Sequence, residues 1–269
     1  GSALKKFFSI AWIILVLLFI YLPIMILAVF SFTTSPQLGS IREFSLQNYK
    51  TLFTTPALTG LIIGTFTLAL VSAVIATVLG TTGAVGAFYS KKLPKTFIDG
   101  MNQIPVVNAD VVTGFSICIF LIVVLNMRKD TYVPLVIGHV LLSAPFVYLS
   151  VVPKLKQMDD SIYEAALDMG ATPFQALTKV VLPQIIPGIL SGFVMAVTLS
   201  LDDYFIATYT KPATFDTIST YVVNATKGAQ TNIKTALWAL STVIFAVVVI
   251  VVIVMNIAGG KETYDNEKD

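Results

Sequence analysis

The chain has 269 residues, of which 56% are hydrophobic and 12% charged, with a formal net charge of +2. Soluble domains carry about 25% charged residues, and the mean hydropathy here is +0.84. That composition excludes an ordinary soluble globular domain and describes a chain that is mostly lipid-facing helix.

Taken in chain order, six apolar runs predict six membrane-spanning helices: Phe7 to Phe30, Leu58 to Phe88, Ile104 to Leu125, Val133 to Val151, Ile185 to Ile206 and Ile233 to Ile257. Each is near or above the roughly 20 residues that cross a bilayer. The first is too long and lacks the cleavage pattern of a secretory signal, so it reads as retained; Gly1, Ser2 and Ala3 read as an expression remnant. The second is long enough to tilt, to bend at Gly80, Gly83 or Gly86, or to protrude. Gly60 with Gly64, and the Gly80 series, offer small-residue strips for close helix contact, within one bundle or against a second subunit.

Six crossings put both termini on one side. With the termini inside, ten lysines lie inside against seven Lys or Arg outside, a modest bias in the direction that cytoplasmic loops favour. The expected organisation is therefore an inner N-terminal stub at 1–6, a six-helix domain over 7–258 and an inner tail at 259–269. Its outer loops are 31–57, 126–132 and 207–232, and its large inner loop is 153–184.

That inner loop holds the polar stretch Ser161 to Pro183, SIYEAALDMGATPFQALTKVVLP. Ser161 and Glu164 have the spacing of a capping box, and Asp159 and Asp160 add negative charge where a helix start welcomes it. Gly170 suits the left-handed residue that closes a helix, and Thr172, Pro173 and Gln175 form a second start signal. Two short helices joined at Gly170 are expected, with Pro183 and Pro187 ending the second. A DNA-reading helix-turn-helix needs a basic face, and Lys179 is the only basic residue in the stretch.

Asp110, Asp202 and Asp203 fall in apolar runs, where an acid at mid-membrane costs about 2.5 to 3.5 kcal/mol on insertion scales. Such acids line paths or make structural pairs with bases and helix ends. Neither run that holds them contains Lys or Arg, so a path lined by them attracts cations. Tyr204, Phe205 and Tyr209 suit ammonium groups; core or interfacial packing accounts for them equally well. At about 1.5 Å per residue, Asp110 is expected about 9 Å into its span and Asp202 about 26 Å into its own. That spacing describes two rungs, an outer one at Asp202 and Asp203 and an inner one at Asp110.

Cys118 has no partner for a disulfide, a metal or nucleophilic chemistry. His139 is the lone histidine and suits a hydrogen-bonded packing role better than a gate. No GxxxxGK[ST] phosphate loop occurs, so any ATP is hydrolysed by another chain. No nucleophile, base and orienting residue come together, so no catalytic residue is assigned.

Glu164, Ala165, Ala166, Gly170, Leu182 and Pro183 resemble the EAA-x3-G-x9-I-x-LP signature of permease subunits in binding-protein-dependent ABC importers, with Val180 in place of the isoleucine. The resemblance implies an all-α membrane protein of the MetI-like, type I importer class, with six transmembrane helices and cytoplasmic coupling helices. It also implies that Glu164, Ala165, Ala166, Asp168, Gly170, Leu182 and Pro183 couple the chain to a cytoplasmic ATPase.

Leu199 to Tyr204, LSLDDY, and Pro105 to Gly114, PVVNADVVTG, are similar to the polyamine (spermidine/putrescine) branch, in particular its second permease subunits. The similarity runs from about Phe44 to the final span; Pro212 and Ala213 depart from a glycine usual in that branch. It implies a substrate pathway at Asp110, Asp202, Asp203 and Tyr204. The implied partners are a second permease subunit, two ATPase subunits that bind ATP and Mg, and an extracellular or periplasmic binding protein. The implied location is the bacterial cytoplasmic membrane, and this chain itself is non-catalytic, without metal or cofactor. The competing readings are a permease for another small cationic or neutral solute, and a gradient-driven secondary transporter.

Overall fold

Long apolar stretches leave the backbone no partner but itself, so the chain satisfies its amides within helices. The computed structural model describes residues 2–33, 43–90, 95–159, 161–227, 235–250 and 253. In order, the helices are α1 (Ser2–Ser31), α2 (Gln47–Thr54), α3 (Pro56–Tyr89), α4 (Lys95–Val107), α5 (Asp110–Cys118), α6 (Val133–Gln157), α7 (Ser161–Asp168), α8 (Pro173–Ala176), α9 (Leu182–Asp202), α10 (Phe205–Thr210) and α11 (Ile218–Lys227). A further apolar helix, α12, spans Thr235–Ile250. Wider π turns extend α5 through Ile119–Val124 and join α8 to α9 through Leu177–Val181.

Among the described residues, four helical runs are long and apolar enough to cross a membrane: Lys5–Ser31, Pro56–Tyr89, Val133–Gln157 and Pro173–Asp202. Asp110–Val124 and Thr235–Ile250 are shorter. The expected third span is thus not one helix. It breaks after Val107, where Ala109 is extended (φ −65°, ψ 133°) and α5 restarts at Asp110, an acid in the first turn where the helix dipole favours it. The rest of the expected last span lies outside the described residues, as do Asp160 and the 259–269 tail.

The chain divides into two compact units, residues 1–59 with 222–269, and residues 60–221. In the first, the tilted rings of Tyr21 and Phe245 and the edge-to-ring pair of Phe30 and Trp238 tie α1 to α12. Asn48 donates to the carbonyls of Ser31 and Thr33, fixing α2 beneath the end of α1.

In the second unit, α6 and α9 form the axis. Val147, Val151 and Leu155 of α6 are buried against Ile185 and Ala196 of α9, together with Ala73 and Ala84 of α3. Gly192 permits that approach, since a Cβ there would lie 3.1 Å from Val147 Cα. The opposite faces remain apolar and exposed, as at Ile63, Leu70 and Val74 of α3, which is the surface a lipid or apolar neighbour covers.

Candidate functional site

Local chemistry shapes the loop between α6 and α9. Asp159 Oδ1 accepts the Ser161 amide at 2.9 Å, and Asp159 O accepts the Ile162 amide at 3.2 Å. The Ser161 hydrogen bond holds the Asp159 carboxyl below its usual range. Ser161 is therefore the first residue of α7, and the expected Ser161/Glu164 capping box does not form; Asp159, two residues upstream, takes the amide instead.

The end of α7 follows the sequence closely. Gly170 has φ +88°, Ala171 N–H bonds Ala166 O at 3.0 Å, and Gly170 N–H bonds Leu167 O at 2.9 Å, the paired closure of a Schellman motif. Thr172 and Gln175 then form a complete capping box, each side chain accepting the other's amide, at 3.3 and 3.0 Å.

Pro183 and Pro187 do not end the second helix as expected. The wide turn at Leu177–Val181, closed by Leu182 N–H on Leu177 O, delivers Pro183 to the start of α9, where a missing donor costs little. Pro173 to Asp202 is consequently one helical run of 30 residues. The loop is thus the continuous end of a spanning helix.

One side of the loop is anchored and the other is bare. Ile162, Tyr163 and Leu177 pack on the α6–α9 core, and the Tyr163 ring lies 4.6 Å from that of Tyr89. Glu164, Ala165 and Asp168 are exposed, with Ala166 half-buried and Leu182 and Pro183 exposed where α9 begins. Met169 and Phe174 are 89% and 74% exposed on either side of Gly170. Sequence reasoning passed over these two; their signal was two large apolar side chains bracketing a glycine turn in a polar loop.

The acids converge at a second place. α9 stops at Asp202, Asp203 is extended (φ −66°, ψ 128°), and α10 starts at Phe205. Asp203 Oδ1 accepts the Ile206 amide at 3.2 Å and Oδ2 the Ala207 amide at 2.8 Å, so its carboxylate serves the first turn of α10. Gly114 of α5 lies against this turn, its Cβ position 3.1 Å from Ile206 N.

Asp110 stands one turn before Gly114 on the same face, within electrostatic range of Asp203, as is Asp202. The two rungs expected from counting along straight helices therefore do not describe the molecule. The helices break at Ala109 and at Asp203, and Asp110 comes within electrostatic range of Asp203. Asp110 and Asp202 are exposed, Tyr204 is half-buried, and the Asp203 side chain is only 6% exposed.

Behind Asp203 lies a buried polar chain. His139 Nδ1 is 2.7 Å from Ser200 Oγ, Nε2 is 3.5 Å from Asp203 Oδ2, and Ser72 Oγ reaches Ser200 Oγ at 3.4 Å. His139, Ser72 and Ser200 are all buried, which makes the histidine a hydrogen-bonded interior group. Cys118 is a free thiol whose Sγ meets Tyr209 O at 3.4 Å.

Long apolar helices among the described residues, with an exposed two-helix loop continuous with one of them, are the features expected of a membrane transport permease. The family model described as "binding-protein-dependent transport system inner membrane component" matches residues 76–259, and the chain belongs to that family. The spermidine/putrescine transport system permease protein PotC of Escherichia coli (strain K12) is 27% identical over 252 residues, 93% of each chain. The putrescine transport system permease protein PotI of the same organism is 30% identical over 250 residues, 89% of this chain and 88% of that one. Among solved structures, a chain of a bacterial ABC transporter involved in the import of the acidic polysaccharide alginate superimposes with a TM-score of 0.70. It is 21% identical and covers 94% of this chain and 95% of its own, a match of the MetI-like fold.

Proposed function

We propose that this chain is a non-catalytic permease subunit of an ATP-driven importer for polyamines of the spermidine/putrescine class, in a bacterial cytoplasmic membrane with both termini inside. The observation that carries the substrate class is that Asp110 and Asp202, both exposed, lie within electrostatic range of Asp203, whose side chain is 6% exposed. Among the described residues these acids do not close up into a metal site. Several carboxylates within electrostatic range of one another suit a ligand that carries more than one positive charge. The names of the PotC and PotI relatives point to the same substrates.

Asp110 and Asp202 attract the ammonium groups, Tyr204 offers an aromatic face to a cation, and Asp203 holds the α9–α10 break that presents them. A binding protein delivers the substrate from outside, and a second permease completes the path. ATP and Mg sit on two partner ATPase subunits. Met169 and Phe174, with Glu164, Ala165, Ala166 and Asp168 beside them, enter the ATPase surface. Gly170, Leu182 and Pro183 set the angle at which that surface meets the 30-residue run. Closure of the ATPases moves this run as a lever, and alternating access follows.

The test is uptake by the assembled complex carrying Asp110→Asn or Asp202→Asn. Each is expected to lower polyamine uptake about tenfold or more, on the scale of a charge-assisted contact, with the subunits still co-purifying. Uptake unchanged in both would remove the acid path.

A further inference from the structure

We propose that His139 is a positioning residue for the carboxylate group, holding the α9–α10 break at the angle that presents Asp202 and Asp110. The proposal rests on the reading of those acids as a cation path.

The two imidazole nitrogens address opposite sides of one break. Nδ1 meets Ser200 Oγ, in the last turn of α9, at 2.7 Å. Nε2 lies 3.5 Å from Asp203 Oδ2 without making a hydrogen bond, and that same oxygen accepts the first-turn amide of α10 from Ala207. The ring comes from α6, the helix against which α9 is packed. One rigid side chain on α6 thus bonds the end of α9 and lies beside the carboxylate that starts α10.

Burial makes this join costly to lose. His139 is fully buried, and the polar chain continues through Ser200 to Ser72 on α3. A polar group at this depth is expensive unless paired, so packing alone is better served by an apolar side chain of the same size. The angle it fixes has two outlets. Asp202, exposed, is the residue just before the extended Asp203. Ile206 and Phe205 are the backbone on which Gly114, and with it the Asp110 end of α5, rests. A tilt of α10 moves both acids with respect to each other.

The decisive experiment labels a cysteine at 202 (Asp202→Cys in a Cys118→Ser background) with a cationic methanethiosulfonate in the assembled, lipid-reconstituted complex. It is run with His139 intact, with His139→Leu and with His139→Gln. Leucine keeps bulk without hydrogen bonds, whereas the glutamine amide has a donor and an acceptor to offer Asp203 and Ser200. His139→Leu is expected to change the labelling rate at least about threefold, since a displacement near 1 Å is enough to alter a positioned group, and His139→Gln to restore it within about twofold. The spermidine-to-putrescine uptake ratio, read with Asp202 intact, is expected to shift in His139→Leu and return in His139→Gln.

A labelling rate unchanged in His139→Leu, or changed and not restored by glutamine, overturns the proposal. If His139→Leu does not assemble, Ser200→Ala, which deletes the Nδ1 partner and leaves the ring, is read by the same criterion. A complex with His139 intact that takes up neither polyamine refutes the substrate reading, while the labelling rates still decide the role of His139.

Discussion

The position of the absent Cβ of Gly114 lies 3.1 Å from the amide nitrogen of Ile206 and 3.2 Å from Phe205 C, so α5 meets the start of α10 backbone to side-chain-free backbone. Because Asp110 stands one turn before this contact, its place beside Asp203 depends on it. Gly114→Leu is expected to force α5 off α10 and cut uptake at least about tenfold, by the misplacement argument for groups held at a site. Gly60→Ala is the control: a Cβ there meets nothing within 4 Å, and uptake is expected at the parent level. Equal uptake in Gly114→Leu would detach Asp110 from the path.

Asp203 serves the fold before it serves any ligand. Its two oxygens take the Ile206 and Ala207 amides, and its side chain is nearly buried. Asp203→Ala leaves buried donors unpaired and is expected to destabilise the subunit by about 1–3 kcal/mol. Asp203→Asn keeps an acceptor oxygen and is expected to fall between. Thermal unfolding of the detergent-solubilised complex measures both, and an alanine variant melting with the parent would deny Asp203 this structural role.

Gly170 has a positive φ of 88° with nothing within 4 Å of its Cβ position, so substitution there acts through the backbone alone. Gly170→Ala is expected to cost about 1–2 kcal/mol for a left-handed alanine, and Gly170→Asn less. The loss appears as faster amide exchange in α7 and fewer polyamines carried per ATP hydrolysed. Parent-level exchange and stoichiometry in Gly170→Ala would show that the turn is not part of the lever.

Signals that act over a few residues were legible in the sequence. Gly170, the Thr172/Gln175 cap, the polar loop and the apolar runs of α1, α3, α6 and α9 stand where the pattern set them, because a cap or an apolar face is decided within one or two turns. The start of α7 was not, since Asp159 takes the Ser161 amide that the Glu164 side chain would accept in a capping box, and both fit the pattern. Pro183 read as a stop because the π turn that delivers it to the start of α9 has no residue signature, and Pro187 is carried inside α9. The acids were misjudged for a geometric reason. Counting 1.5 Å per residue assumes a straight helix, and the breaks at Ala109 and Asp203 interrupt both of the runs that were counted.

The most direct test is ATP hydrolysis by the complex that co-purifies with this chain, reconstituted in lipid with its binding protein, with and without spermidine and putrescine. The account predicts stimulation by a polyamine, lost in Glu164→Lys while the subunits remain assembled. Hydrolysis indifferent to both polyamines would contradict the substrate reading, and stimulation undiminished in Glu164→Lys would contradict the role of the α7–α8 loop.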